Sequence, residues 1–193
     1  MSTGSFIKFA YMATRKLWIY SPDVTPRLEY TVSVIFNTVL GINYEITADR
    51  RKIGTSPAVI YTNEKLREHF TIRPAGLLND TGTGQAEPAV SFLEEMPVMF
   101  VNEGGSIPFD IFSAVFYMLS RYEEYLPFSP DAHGRFPGSS SIAYREGFLR
   151  QPVVDIWSRY LATELVKRYP VLTIRHNEYR ALVTIDVDQP FAY

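Results

Sequence analysis

The spacing of apolar and polar positions changes several times along the chain, and each change marks an element. Lys16-Leu-Trp-Ile-Tyr20 is a short run of aromatic and branched side chains, the signature of a buried strand. Ser21 to Thr25 carries turn chemistry, and Thr25 followed by Pro26 is a helix start, an N-cap with proline in the first turn. Leu28, Val32, Ile35, Phe36 and Val39 then recur along one helical face, and Gly41 is the natural stop. Asn43–Thr47 and Ala58–Thr62 read as two further strands, so the chain opens β-α-β-β. That order predicts an α/β fold, a layered sheet with flanking helices, mixed or mostly parallel.

The middle is less regular. Glu64–Phe70 reads as a short helix, Leu78–Pro88 as a flexible polar loop, and Pro97–Val101 as an apolar strand. The longest helix is expected from Phe109 to about Tyr125, with Phe112, Val115, Phe116, Leu119 and Tyr122 on one face. A loop rich in Pro, Gly and Ser follows, from Pro127 to about Ser141. Val153, Trp157, Leu161 and Leu165 mark a third helix that Pro170 closes, and Trp18 and Trp157 fit apolar core patterns. Val171–Arg175 and Ala181–Val187 read as closing strands. The organisation expected is an N-terminal extension (1–15), an α/β domain (16–178) and the first strand of a second domain (179–193).

Composition narrows the function classes. The 193 residues are 46% hydrophobic, enough for a proper core, and carry a net charge of −2 without the clustered Lys and Arg of a nucleic-acid surface. With no cysteine there is no disulfide framework, thiol nucleophile or Cys-ligated metal. No run approaches the length of a membrane helix, and the N-terminus lacks the order of a secretory signal, so a cytoplasmic location is expected, with neither membrane nor nucleic acid as partner. Aromatic residues make up 15% of the chain, which suits a heavy core, a sugar-stacking surface or a partner interface equally.

Two polar groupings carry candidate chemistry. Asp186 and Asp188 stand two apart where an apolar run ends, so in a strand both would face one side and could share a metal or reacting group. The other reading is a solvated strand end before Gln189-Pro190. Arg121, Glu124 and Tyr125 at a helix end, with Asp131, His133 and Arg135 in the following loop, form the second group. They suit a sugar or phosphate, with Arg as a planar fork and Tyr as a stacking face. Ion pairs pinning the long loop to the helix, with His133-Gly134 as a turn, are the plainer alternative. Asn102–Ser106 and Gly82–Gly84 lack the lysine and spacing of phosphate loops and read as turns.

The end of the chain resembles a known family. Thr184-Ile-Asp-Val-Asp188 with Gln-Pro-Phe-Ala-Tyr193 is similar to the opening motif of the polysaccharide deacetylase (NodB-like, carbohydrate esterase family 4) domain, in its Asp-x-Asp form. The resemblance implies a general base at Asp186 and a metal ligand at Asp188, with zinc as the divalent metal and two histidines spaced four apart. Val187 stands where the common form has Asp. Phe109–Phe112, Phe116–Tyr125, Asp131–Phe136, Gly147–Leu149 and Pro152–Trp157 resemble the domain of uncharacterised function that precedes the deacetylase domain in a group of bacterial proteins.

His69, His133 and His176 include no pair spaced four apart, and all precede the aspartates. The expectation is therefore an N-terminal portion of a larger enzyme, inactive alone, holding no cofactor of its own and binding no metal at Asp186 and Asp188. Its expected partners are the C-terminal deacetylase domain and a carbohydrate. The alternative is a protein-protein or self-association module. A small-molecule enzyme built on Arg121 and His133 is the third reading.

Overall fold

A computed structural model describes residues 16–64, 68–84, 87–174 and 181–186 of the chain. Four parallel strands form the central sheet: β1 (Leu17–Tyr20), β2 (Tyr44–Thr47), β3 (Ala58–Tyr61) and β4 (Phe70–Ile72), in the order β2-β1-β3-β4. The α/β layering read from the opening elements is the fold. Helix α1 (Pro26–Val32) starts where expected, because the Thr25 hydroxyl accepts from the Leu28 N–H and Pro26 needs no partner. It runs on into a π-helical stretch, Ser33–Val39, which turns both Ile35 and Phe36 into the core. Gly41 ends it in the left-handed region, at φ 60°.

A second, antiparallel sheet follows, β5 (Val90–Leu93) with β6 (Met96–Met99). Three α-helices complete the described chain, α2 (Ile111–Leu119), the one-turn α3 (Ile142–Arg145) and α4 (Val153–Arg168). The core lies between one face of the sheet and helices α1, α2 and α4. Phe112 packs edge-on to Phe36 and tilted against Tyr61, and Phe109 stacks with Tyr160 beside Trp157. Trp157 is fully buried and donates its indole N–H to the Pro97 carbonyl at 2.7 Å. Much of the aromatic excess is therefore core. The other sheet face carries a smaller cluster, Tyr20, Ile53, Ala58 and Ile60, where Trp18 is only half-buried beneath the Lys16 ammonium.

Several expectations need correction. Phe70 opens strand β4 instead of closing a helix, and residues 65–67 lie outside those described. Strand β5 went unforeseen. The long helix stops at Leu119, because Arg121 adopts the left-handed conformation (φ 51°) and Tyr122–Tyr125 continue as a 3-10 turn. Residues 171–174 form no strand, although Leu172 is buried. Residues 181–186 also form neither helix nor strand, and Leu182, Val183 and Ile185 are 90%, 90% and 84% exposed. Pairing requires a neighbouring strand, and none among the described residues offers its edge to this segment.

Candidate functional site

In a parallel sheet of this order, ligands favour the crevice beyond the carboxyl ends of the two central strands, here β1 and β3. The chain itself fills that place. Asp110, fully buried, caps α2 by accepting from the Phe112 and Ser113 N–H groups, both at 3.1 Å. Its carboxylate also accepts from the Tyr61 hydroxyl (2.8 Å), the Ala75 N–H (2.8 Å) and the Ser113 hydroxyl (2.6 Å). Burial raises the Asp110 carboxyl above its ordinary pKa against the pull of these hydrogen bonds, and burial with the neighbouring Asp110 charge raises Tyr61. The Thr25 hydroxyl donates to Leu78 and the Asn79 amide to Asp23, so the 73–79 loop is stitched across the strand ends.

The Gly105–Ser106 end of the Asn102–Ser106 loop packs against strand β4. Ser106 N–H donates to Thr71 at 2.7 Å, and a Cβ at Gly105 would sit 3.1 Å from that same carbonyl and 3.0 Å from the Ile107 carbonyl. Glycine is there so that the loop can lie against β4.

Among the described residues, open space lies beside the carboxyl end of α2, where three chambers adjoin. The central one, about 600 Å³, is walled by Glu87, Tyr117, Glu123, Phe128, Phe136 and Arg145 among others. A second, about 260 Å³, shares Tyr117, Glu123 and Phe136 with it and adds Met118, Arg121, Glu124 and Leu149. A third, about 490 Å³, shares Glu87 with the central chamber and is lined by Pro88, Ser91, Phe100 and Asn102. Phe128 and Phe136 meet edge to face at 5.2 Å, and Phe100 packs edge-on to Tyr117 at 6.0 Å, so aromatic rings run the length of the groove.

Three polar groups in these walls lack partners among the described residues. Tyr117 is 2% exposed, yet its hydroxyl makes no hydrogen bond there; its charged neighbours are Glu123, Glu87 and Arg145. Burial first, and the two glutamates next, push its pKa up. Glu123 accepts from the Ile142 N–H at 2.8 Å through one oxygen, and its other oxygen is unpaired. Its carboxyl is raised by burial, although the Ile142 hydrogen bond and the Arg145 charge act the other way. Asn102 donates its amide to the Arg73 carbonyl, while its buried Oδ1 accepts nothing. Of the three, only Asn102 Oδ1 is closed off from solvent, a rare state for a polar atom without a partner; the Tyr117 hydroxyl and the second Glu123 oxygen stay accessible, open to a ligand that supplies donors.

The residues singled out in the sequence divide around this groove. Arg121 and Glu124 are ion-paired with each other and line the smaller chamber. Asp131 and Arg135 pair within the loop at 3.1 Å, and Asp131 accepts from the His133 and Arg135 N–H groups, which hold its carboxyl below the ordinary value. These three shape a tight turn with Gly134 at φ 75° and wall none of the chambers; Tyr125 is exposed. The loop is held to the body by other contacts, Ile142 to Glu123 and Arg145 to Glu87. Tyr117, Glu123, Phe136 and Arg145 were missed, since each is unremarkable in spacing and acquires meaning only from the fold.

Asp186 lies in the exposed 181–186 segment, and Asp188 and His176 lie outside the described residues. Among the described residues no three His, Asp or Glu side chains converge to hold a metal. The donor set that a zinc site of the resembled kind requires is not assembled from the residues described.

A family model matches residues 17–170, nearly the whole of the described fold. The chain belongs to DUF7033, a family of unknown function. No curated protein and no solved structure matches the chain. The DUF7033 match thus contains every wall of the groove and ends before Asp186. No helix among the described residues of this DUF7033 chain is long and apolar enough to cross a membrane.

Proposed function

We propose that this DUF7033 chain is a non-catalytic, carbohydrate-engaging domain of a polysaccharide-deacetylase-like protein, where it helps position a sugar chain for removal of acetyl groups by a C-terminal catalytic domain. The observation that carries the reading is the run of three wall-sharing chambers, with rings at Phe100, Tyr117, Phe128 and Phe136 and accessible oxygens of Tyr117 and Glu123 that have no partner among the described residues. Sugars combine apolar ring faces with many hydroxyl donors, and a groove of aromatic walls with acceptor oxygens complements both. A succession of chambers suits a linear chain better than a single small molecule.

The link to deacetylation rests on the resemblance at Thr184–Asp188. The exposed Leu182, Val183 and Ile185 support it, because such a segment is at home only against another apolar surface, as an interdomain strand would be. In the longer enzyme the roles of general base and metal ligand would fall to Asp186 and Asp188.

The test is a glycan array followed by calorimetry with the chain and its Arg121→Ala and Phe136→Ala variants. Binding of one class of linear polysaccharide, weakened by Phe136→Ala while the fold is kept, is the expected result. No binding to any glycan overturns the carbohydrate reading and leaves self-association to be measured by sedimentation.

A further inference from the structure

We infer that the central chamber is an ammonium subsite, recognising the free amino group of an amino-sugar unit through the Glu123 carboxylate and the Tyr117 hydroxyl. This rests on the carbohydrate reading and names the chemistry that the groove selects. The argument is one of pairing. Of the four charged side chains that wall the two connected chambers beside Glu123, Glu87 is paired with Arg145 at 3.0 Å and Glu124 with Arg121. Glu123 makes no ion pair among the described residues, and its one hydrogen bond comes from the Ile142 backbone. Glu123 lines both chambers together with Tyr117, which feels the Glu123 charge and whose hydroxyl makes no hydrogen bond among the described residues.

A carboxylate and a hydroxyl that line the same two chambers, neither satisfied by the chain, suit a cation bearing several N–H donors. A neutral hydroxyl would satisfy only part of this, and an N-acetyl group would bring one donor, no charge and an extra methyl to place. An ammonium group supplies three donors and the missing charge, and charge-assisted hydrogen bonds are about twice as strong as neutral ones. Phe128 and Phe136 supply apolar walls for the sugar ring that carries the amine. Groups facing Glu123 from other elements are Arg145 on α3, Glu87 on the loop before β5 and Tyr117 on α2, with Glu124 on its own turn. Together they leave the site net acidic.

The experiment is calorimetry of the 193-residue chain near neutral pH with four tetramers: β-1,4-glucosamine, its fully N-acetylated form, glucose and lysine. The glucosamine tetramer is expected to bind at least about tenfold tighter than the glucose tetramer, a preference that Glu123→Gln abolishes and Tyr117→Phe reduces. Equal binding of glucosamine and glucose tetramers overturns the ammonium subsite but leaves the carbohydrate reading standing. Binding of the lysine tetramer as tightly as the sugar, or unchanged preference in Glu123→Gln, also overturns it. No binding of any sugar removes both readings. Retention of the native circular-dichroism spectrum by Glu123→Gln separates lost recognition from lost fold.

Discussion

The Tyr61 hydroxyl donates to the Asp110 carboxylate across 2.8 Å, joining the end of β3 to the first residue of the α2 cap. Both side chains are buried, and the same carboxylate holds Ala75 and Ser113. Sheet, loop and helix therefore meet on one acid. Removing the acid strands Tyr61, Ala75 and the first turn of α2 together, so Asp110→Ala is expected to cost about 3–5 kcal/mol. Tyr61→Phe deletes one bond among five and should cost about 1.5–3 kcal/mol. Urea denaturation of both variants and the double mutant checks this, and additive losses would contradict a shared network.

At Arg121 backbone preference and the binding wall pull apart. It occupies the position after the α2 C-cap at φ 51°, a conformation that costs a side-chain-bearing residue about 1–2 kcal/mol. Its ion pair with Glu124 is exposed and returns about 0.3–0.5 kcal/mol. Arg121→Gly should therefore raise stability by about 1 kcal/mol while removing a charged wall of the smaller chamber. A raised urea midpoint with weaker glycan binding is the expected pair of results; a lowered midpoint would show that the arginine is held there for packing.

The two cases also show what the sequence made legible. Periodic apolar faces placed β1, α1, α2 and α4, because burial dictates spacing in those elements. The break at Arg121 left no mark, since left-handed backbone at a non-glycine residue is a tertiary outcome. The short strand β5 has an exposed Phe92 and only half-buried Val90 and Leu93, too little alternation to read. The run Ala181–Val187 misled in the opposite way: its propensity is that of a strand, but among the described residues nothing pairs with it. Ion pairs among Arg121, Glu124, Asp131 and Arg135 were expected to tie the loop to the helix, but each pair closes within its own segment, and the isolation of Glu123 could be seen only once Arg121, Arg145 and their partners had been placed.

That isolation has a pH signature. Burial raises the Glu123 carboxyl in the folded chain above its unfolded value of about 4.3. A raised carboxyl favours the fold fully below the unfolded pKa, and the contribution is lost as pH rises through the native value. Glu123→Gln keeps an acceptor for the Ile142 N–H without the charge. The variant should match the wild type near about pH 4 and exceed it near about pH 7.5. Other titrating groups, Asp110 and Asp131 included, are common to both proteins and cancel in the comparison. Paired urea titrations at the two pH values decide it, and a variant advantage that shrinks toward neutral pH would contradict a raised Glu123.

Arg145 separates a structural wall from a binding wall. Its pair with Glu87 joins α3 to the loop before β5, but the side chains are 48% and 72% exposed, where such pairs contribute about 0.2–1 kcal/mol. Arg145→Ala should hardly move the urea midpoint. It also frees Glu87 and deletes a cation near Glu123, so the central chamber becomes more acidic. If that chamber takes an ammonium group, the variant should bind the glucosamine tetramer at least as tightly as the wild type, and the glucose tetramer no better. An anionic ligand would behave in the opposite sense, because Arg145 would then be its counter-ion. Calorimetry of the variant with both tetramers therefore reads the sign of the charge the groove was built to hold.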